Sequence, residues 1–110
     1  MIEVTVKEHL EQKLQVPVYM EYPPDPPKRF VVLKKADSSR ENFIDSAMFV
    51  ADSYAESTYQ AALLNSEVVQ ALDDLADLDD IGKSERAGDY AFFDTKNKRH
   101  RYQAVQNITY

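Results

Sequence analysis

Two β-strands around a short polar turn are predicted by the stretch Asp89-Tyr-Ala-Phe-Phe-Asp-Thr-Lys-Asn-Lys-Arg-His-Arg-Tyr-Gln-Ala-Val-Gln-Asn-Ile-Thr-Tyr110. We expect the turn near residues 95–98, where the side chains are all polar. The second strand is rich in Tyr, Val, Ile and Thr, which suit a half-buried pleated surface. Because terminal segments are loose unless other elements hold them, this composition predicts a strand that is built into a sheet.

An amphipathic helix precedes this hairpin. Ser57-Thr-Tyr-Gln60 has the form of a capping box, in which the side chains of Ser57 and Gln60 satisfy free backbone N–H groups. We expect a helix of about five turns that ends in the acidic run of residues 73–80, followed by a loop over residues 81–88. The apolar stripe at three- and four-residue spacing consists of Ala61, Leu64, Val68, Leu72 and Leu75.

A first helix is predicted to begin near Thr5, because Thr5-Val-Lys-Glu8 is a second capping box. Its apolar face holds Val6, Leu10 and Leu14, four residues apart. His9 lies off that face and is expected to be solvated. Residues 16–20 then alternate like a strand, and Pro17 places this strand at a sheet edge or at a strand start.

The middle of the chain is predicted to hold two more strands. Residues 22–29 contain four prolines and are expected to form an exposed, stiff loop. Residues 30–35 form a short strand, residues 36–42 a polar turn, and residues 43–54 a third strand. Apolar residues occupy both faces of the third strand, which predicts cover on both sides.

The element order therefore predicts an α/β (α+β) fold in a single domain over residues 1–110, with one mixed sheet of about five strands. Two main helices are expected to pack mostly on one face of that sheet. The strand–helix–strand passage over residues 54–89 should cross over with right-handed geometry if its strands are parallel neighbours.

Composition excludes several classes of protein and site. The chain has no cysteine, so neither disulfides nor thiolate zinc sites are possible, and an intracellular origin is expected. No apolar run approaches the roughly 20 residues that a membrane helix needs. The first residues lack a basic segment followed by an apolar stretch, so no signal peptide is predicted.

Charge is distributed unevenly along the sequence. Residues 1–35 carry a net charge of +1, residues 36–89 carry −10, and residues 90–110 carry +3. The acidic middle argues against a dedicated nucleic-acid binder, which needs a dominant basic face. Two surfaces of opposite sign could instead pack on each other between neighbouring copies in a head-to-tail ring, although segregation along the sequence need not survive folding.

No catalytic, cofactor or metal site is predicted. With only two glycines, Gly82 and Gly88, the chain has no phosphate-binding loop. His9 and His100 are far apart in the sequence, and no serine has the nucleophile-elbow pattern. The acidic residues 73–80 follow helical rather than calcium-loop spacing, so a solvated helix end is the favoured interpretation.

Candidate protein-interface residues lie in the acidic run and in the basic terminal hairpin. The hairpin has three interpretations: an ordinary solvated turn, a subunit contact, or a contact with nucleic acid. The solvated turn carries the most weight, and the net charge disfavours nucleic acid as a main role. Arg101-Tyr102 is of interest for the second interpretation, because Arg and Tyr are frequent in the energetic centres of interfaces. The candidates are Asp73, Asp74, Asp77, Lys96, Lys98, Arg99, Arg101 and Tyr102.

Five short motifs, taken together, resemble a known family over nearly the whole chain. The sequence is similar to the tail terminator, or head–tail joining, proteins of long-tailed bacteriophages and related prophages. The motifs are Pro17-Val-Tyr19, Phe30-Val-Val-Leu-Lys-Lys35, Ser53-Tyr-Ala-Glu-Ser57, Ala61-Ala-Leu-Leu-Asn65 and Arg101-Tyr-Gln-Ala-Val105.

The resemblance implies an α/β fold and a hexameric ring on the head-proximal end of the tail tube. Such a ring stops tube growth, docks to the head connector, and leaves a lumen through which DNA passes without specific binding. Its place would be the virion neck, with assembly in the bacterial cytoplasm. The resemblance implies structural or interfacial roles for Pro17, Tyr19, Ser53, Tyr54, Ser57, Ala61, Leu64, Tyr102 and Gln103.

Three functional hypotheses follow from the sequence. The first is this ring-forming assembly protein, either the terminator or another neck or connector protein of similar size. The second is a monomeric binding module that captures a partner through the proline-rich loop or the terminal hairpin. The third is a small enzyme whose site has no recognisable motif.

Overall fold

The computed structural model describes residues 1–110 and contains two α-helices and one five-stranded sheet. A short 3₁₀ turn, Asp74–Asp77, follows the second helix. The sheet is mixed, and this architecture confirms the α+β prediction. In chain order the elements are α1 (Ile2–Lys13), β1 (Val18–Tyr19), β2 (Phe30–Glu41), β3 (Ile44–Ala55), α2 (Thr58–Asp73), β4 (Lys83–Ala91) and β5 (His100–Thr109).

The strands lie in the order β1-β2-β3-β5-β4. β1 is parallel to β2, and every other neighbouring pair is antiparallel. β3 and β4 are both antiparallel to β5, so they run in the same direction with β5 between them. The β3–α2–β4 passage therefore joins parallel strands that are not neighbours, because the terminal strand occupies the place between them.

Both helices pack on one face of the sheet, as predicted. Alternate residues of β2, β3 and β5 point to that face because side chains of a strand alternate between its two sides. Together they form a core cluster of 16 buried residues. Its largest contributors are Val6 and Leu10 from α1, Leu64, Val68 and Leu72 from α2, and Leu33, Phe49 and Ile108 from the sheet.

A smaller cluster lies on the opposite face, at the end of the sheet where the proline-rich segment crosses it. Phe30 and Tyr54 stack there with ring centroids 4.6 Å apart. Tyr22, from the proline-rich segment, packs edge-on against both rings. The segment that was expected to be an exposed loop therefore covers part of the sheet, and Pro23 within it is buried.

The N-terminal helix differs from its prediction in two respects. It begins at Ile2, not Thr5, and Thr5 Oγ1 bonds to the carbonyl of Met1 instead of capping the helix (3.2 Å). His9, expected to be solvated, is buried. Its Nε2 lies 2.8 Å from the carbonyl oxygen of Ala71 in α2, and a carbonyl requires the nitrogen to donate. Packing of α1 on α2 decides this position, which the pattern of α1 alone could not show.

Two segments predicted as turn or loop are strands. β2 continues through residues 36–41. Residue 36 lies in a bulge and residues 37–41 pair with residues 44–48 of β3, so the turn is confined to Asn42 and Phe43. β4 begins at Lys83, inside the predicted loop, and contains a bulge beside Gly88. Both segments are polar and exposed, so they carry no alternating apolar signal, and only pairing with a neighbouring strand makes them extended.

Three further predictions were partly or fully confirmed. β3 is covered on both faces only near its end, because Met48 and Ile44 are exposed. Residues 16–20 yield only the two-residue strand β1, and Pro17 stands just before it at the sheet edge. At the start of α2, Ser57 Oγ accepts a hydrogen bond from the backbone N–H of Gln60 (3.1 Å), which confirms the predicted N-cap.

Candidate protein interface

The first residue of the acidic segment, Asp73, uses both carboxylate oxygens for contacts within the chain. Asp73, the last residue of α2, accepts from Arg86 Nε on β4 (2.8 Å), and Arg86 Nη2 lies 2.6 Å from the same oxygen. Its other oxygen accepts from Gln106 Nε2 on β5 (3.0 Å). The Arg86 hydrogen bond holds the pKa of the Asp73 carboxyl below its usual range. Asp73 therefore ties α2 to the sheet.

The free negative charge lies just beyond it. Asp74 is half-buried and accepts from Gln70 one turn earlier (3.1 Å). Asp77, Asp79 and Asp80 are exposed and make no ion pair within the chain. We call these three residues the acidic patch.

The terminal turn places Arg99 against the proline-rich segment. Its Nη2 donates to the carbonyl oxygens of Lys28 (2.7 Å) and Pro27 (3.2 Å). Its guanidinium lies 5.4 Å from the centre of the Phe30 ring, within the range of a cation–π contact. Arg99 thus holds the proline-rich segment onto the sheet.

Two basic side chains of the same turn are not used in this way. Lys96 and Lys98 are exposed and form no ion pair within the chain. We call these two residues the basic patch. Lys98 also has a left-handed backbone, with φ 54°.

Arg101 belongs to a network on the sheet face opposite the helices. Its Nε donates to the carbonyl of Phe92 (2.9 Å), and its guanidinium lies 4.3 Å from the Phe92 ring centre. Nη1 reaches Tyr54 Oη at 3.4 Å and lies 3.7 Å from Asp52 Oδ2. Its side chain is largely covered, so Arg101 acts mainly within the chain. Tyr102, next to it, is half-buried on the helix face.

Asp94 is the centre of that network. It is buried and accepts hydrogen bonds from Tyr54 Oη (2.9 Å) and from the backbone and side chain of Asn97 (3.1 and 2.8 Å). Burial alone would raise the pKa of the Asp94 carboxyl, but the donors of Asn97 and Tyr54 and the charge of Arg101 lower it below its usual range. Burial, helped by the bond to Asp94, raises the pKa of the Tyr54 hydroxyl.

Asp52 extends the network along the sheet. It is completely buried, and its Oδ1 accepts from Gln103 Nε2 (2.9 Å). Its Oδ2 accepts no hydrogen bond but lies 3.4 Å from Lys34 Nζ and 3.7 Å from Arg101 Nη1. Burying this carboxylate is tolerable because two cations face it. Apart from Asp52 Oδ2, which two cations face without a hydrogen bond, the side chains of the network bond to one another, which fits a role in holding β3, β5 and the terminal turn together.

The acidic and basic patches lie beside opposite ends of α2. The start of α2 contacts the start of β5, where Thr58 Oγ1 lies 3.2 Å from His100 Nδ1, and the basic turn immediately precedes that point. At the other end of α2, the carbonyl of Leu72 accepts a hydrogen bond from Ser84 at the start of β4 (2.7 Å), beside the acidic patch. The 16 residues of α2 separate these ends by about 24 Å.

Exposed aromatic side chains are the feature that sequence reasoning missed. Tyr90, Phe92 and Phe93, at the end of β4 and just beyond it, are each about half exposed. Phe43, at the β2–β3 turn, is the most exposed large apolar side chain of the chain, at 90 %. Alternation of Tyr90 and Phe92 at strand spacing was a signal for the first group, whereas nothing in the sequence marks Phe43 as a turn residue.

No protein-family model matches the sequence, and no curated protein matches it. No cluster of three or more His, Asp or Glu side chains is arranged to hold a metal ion. Neither α-helix has the length and apolar character that a bilayer crossing requires.

Proposed function

We propose that this chain is a virion assembly protein of a long-tailed bacteriophage or prophage, which forms a ring, caps the tail tube and joins it to the head connector. The observation that supports this proposal is the separation of two small patches of unpaired charge. Asp77, Asp79 and Asp80 lie beyond the last residue of α2, and Lys96 and Lys98 lie in the turn beside its first residue. Two unlike surfaces at opposite ends are what a head-to-tail contact needs, and such contacts close into rings when the rotation per subunit permits.

The partners in this proposal are further copies of the chain, the tail tube protein and the head connector. A hexamer is the assembly that the resemblance implies. DNA passes through the lumen, and the net charge of −6 disfavours its adsorption to the ring. Another neck protein with the same head-to-tail contact is the nearest alternative, and it differs in which neighbouring ring it binds.

Charge reversal followed by charge restoration tests the ring. We expect Asp77→Lys/Asp79→Lys to weaken association, and Lys96→Asp/Lys98→Asp to do the same, because each variant places like charges across the contact. A chain that carries all four substitutions has a basic patch that is negative and an acidic patch that is net positive, with Asp80 unchanged, and it should regain the ring. Asp73 is left unchanged, because its ion pair with Arg86 ties α2 to the sheet.

The measurement is particle mass by light scattering, with and without purified tail tubes, together with micrographs of the tube ends. Asp25→Lys/Glu67→Lys is the matched control, since it makes the same change in net charge at exposed acids outside the acidic patch. Rings that are unaffected by either reversal would contradict the charge contact. A chain that never forms a ring, and binds one partner molecule as a monomer, would contradict the proposed function.

A further inference from the structure

The β2–β3 turn holds an aromatic residue in a backbone conformation that aromatic residues rarely adopt. Asn42 and Phe43 form a two-residue turn with φ of 51° and 65°. Turns of this kind favour Asn followed by Gly, because glycine enters the left-handed region without steric cost. The phenylalanine therefore strains the turn, and 90 % of its surface lies in solvent. Within the monomer the only aromatic or cation–π contact of the Phe43 ring is with the Arg40 guanidinium.

The neighbours of Phe43 make the turn a compact anchor with an apolar tip and a cationic side. Ile44 follows it and is 54 % exposed. The Arg40 guanidinium lies 5.7 Å from the centre of the Phe43 ring, and its only ion pair, with Asp45, is long at 3.8 Å. Exposed aromatic and arginine side chains side by side are typical of the energetic centres of interfaces. We call Arg40, Phe43 and Ile44 the hairpin anchor.

A recess of matching character lies at the other end of the molecule. It has a volume of about 530 Å³ and is formed by α1, β1 and the start of the proline-rich segment. Met20 in its wall is 45 % exposed, and Glu21 makes no ion pair within the chain. Glu11 in the lining is paired with Lys7 (3.1 Å), so the side chains that matter for docking are Tyr19, Met20, Glu21 and Tyr22.

A chain cannot place the anchor in its own recess. β1 in the recess pairs with Val31 and Val32 of β2, whereas the anchor follows Glu41 at the far end of the same strand. Ten strand residues separate these points by about 33 Å. The anchor lies on the same side of the molecule as the acidic patch. The N–H of Tyr110 donates to the carbonyl oxygen of Asp45 (2.9 Å), and the N–H of Gly82, just after the patch, donates to the carbonyl oxygen of Thr109 (2.8 Å). The recess lies at the end that carries the basic patch, where Arg99 contacts Pro27.

We infer that the hairpin anchor docks into the recess of a second copy of this chain, a contact that rests on the proposed head-to-tail ring and supplies its specific part. Phe43 and Ile44 pack against Tyr19, Met20 and Tyr22, and Arg40 pairs with Glu21. A second copy is the occupant because both halves of the contact are present on one chain, with complementary charge. The contact joins the same two ends of the molecule as the charged patches do.

Disulfide trapping tests the contact, because the chain has no cysteine of its own. An Ile44→Cys variant is mixed with a Met20→Cys variant and oxidised, and the mixed disulfide is followed on non-reducing gels. The control mixes Ile44→Cys with Tyr59→Cys, since Tyr59 is 69 % exposed and lies outside the recess. We expect the 44–20 link to form at least several-fold faster than the 44–59 link. Equal rates would overturn the inference.

A second variant separates the anchor from general stickiness. Phe43→Gly in the Ile44→Cys chain should reduce the 44–20 rate to that of the control while leaving the monomer folded, because glycine suits the turn. Phe43→Ser gives the same test without a glycine. A rate that is unchanged in both variants would show that Phe43 is not the anchor and would overturn the inference.

The double variant Ile44→Cys/Met20→Cys distinguishes this inference from the proposed function. Oxidation into a ladder of copies that ends in a closed ring supports both. Specific 44–20 links that yield only open chains support the docking and contradict the ring. A ring seen by light scattering, in which the 44–20 link forms no faster than the control, overturns the docking and leaves the ring in place.

Discussion

The two hairpin turns of this molecule contrast in how they are held. In the turn between β4 and β5, Asp94 accepts hydrogen bonds from a tyrosine and an asparagine side chain. Arg99 in the same turn donates to backbone carbonyls. In the turn between β2 and β3, Phe43 projects into solvent, and the side-chain contacts beyond strand pairing are the long Arg40–Asp45 ion pair and the Arg40–Phe43 contact. Both turns contain a non-glycine residue with left-handed φ. One turn is therefore stabilised within the monomer, whereas the other has a surface that a partner could cover.

This contrast changes which part of the basic hairpin is available to a neighbour. Composition suggested four cations as one cluster, but Arg99 and Arg101 bond within the chain, and Lys96 and Lys98 remain free. A guanidinium that already donates to carbonyl oxygens has fewer donors to offer a neighbour. The free surface at this end is consequently smaller than the sequence indicated.

The largest expected effect on stability comes from removing Asp94, the centre of the network that holds the β4–β5 turn. Asp94→Ala should lower the free energy of unfolding by about 3 kcal/mol, because it removes the acceptor of the Tyr54 hydroxyl and of Asn97 and a carboxylate that faces Arg101. Denaturant unfolding measures the loss. Asp25→Ala, at an exposed acid without contacts, should change stability by less than about 0.5 kcal/mol. A loss of under about 1 kcal/mol for Asp94→Ala would show that the network is not what holds this turn.

The tie between the turn and the proline-rich segment should be the next largest. Arg99→Ala removes two hydrogen bonds to carbonyls and the contact with the Phe30 ring, and we expect a loss of about 2 kcal/mol. Amide hydrogen exchange over residues 22–29 should accelerate in this variant. Lys98→Ala, in the same turn, is the control and should leave that exchange unchanged. Equal hydrogen exchange over residues 22–29 in the two variants would show that Arg99 does not hold the proline-rich segment.

Acid should weaken the β4–β5 turn, which Asp94 holds, more than the β2–β3 turn. The pKa of Asp94 lies below its ordinary value of 3.8 in the folded chain, so the stability it contributes is complete above that value. That stability is lost as the pH falls through the lowered pKa, below 3.8. Unfolding midpoints measured between about pH 5 and about pH 2 should fall less steeply for Asp94→Asn than for the parent chain. Parallel curves would show that Asp94 keeps an ordinary pKa.

The smallest effect on stability is expected at the residues with left-handed φ, which both turns contain. Phe43→Gly and Lys98→Gly both relieve a left-handed φ, so stability should stay level or rise by up to about 1 kcal/mol. Thermal unfolding of the monomers measures this. Their association should differ, because only Phe43→Gly removes the hairpin anchor. A clear loss of stability in Phe43→Gly would mean that the aromatic ring supports its own turn.

Particular elements show how far sequence reasoning extends. The stripe of Leu64, Val68 and Leu72 and the Ser57 cap predicted α2 correctly, since both are local patterns of one helix. β2 beyond Lys35 and the first half of β4 were missed, because exposed polar strands are extended only through pairing with a neighbour. Asp73 was correctly placed at a helix end, but its contacts with Arg86 and Gln106 arise from β4 and β5.

The order of helices and strands, the apolar faces and the separation of charge along the chain are properties of this sequence by itself, because they depend on spacing and composition. Tertiary structure alone decided that β5 lies between β3 and β4, that His9 is buried against α2, and that Arg99 and Arg101 are used inside the molecule. It also placed the free charges and Phe43 at defined ends of the sheet. The physical reason is that these features arise from contacts between residues distant in sequence, and local patterns carry no record of which distant partner a side chain meets.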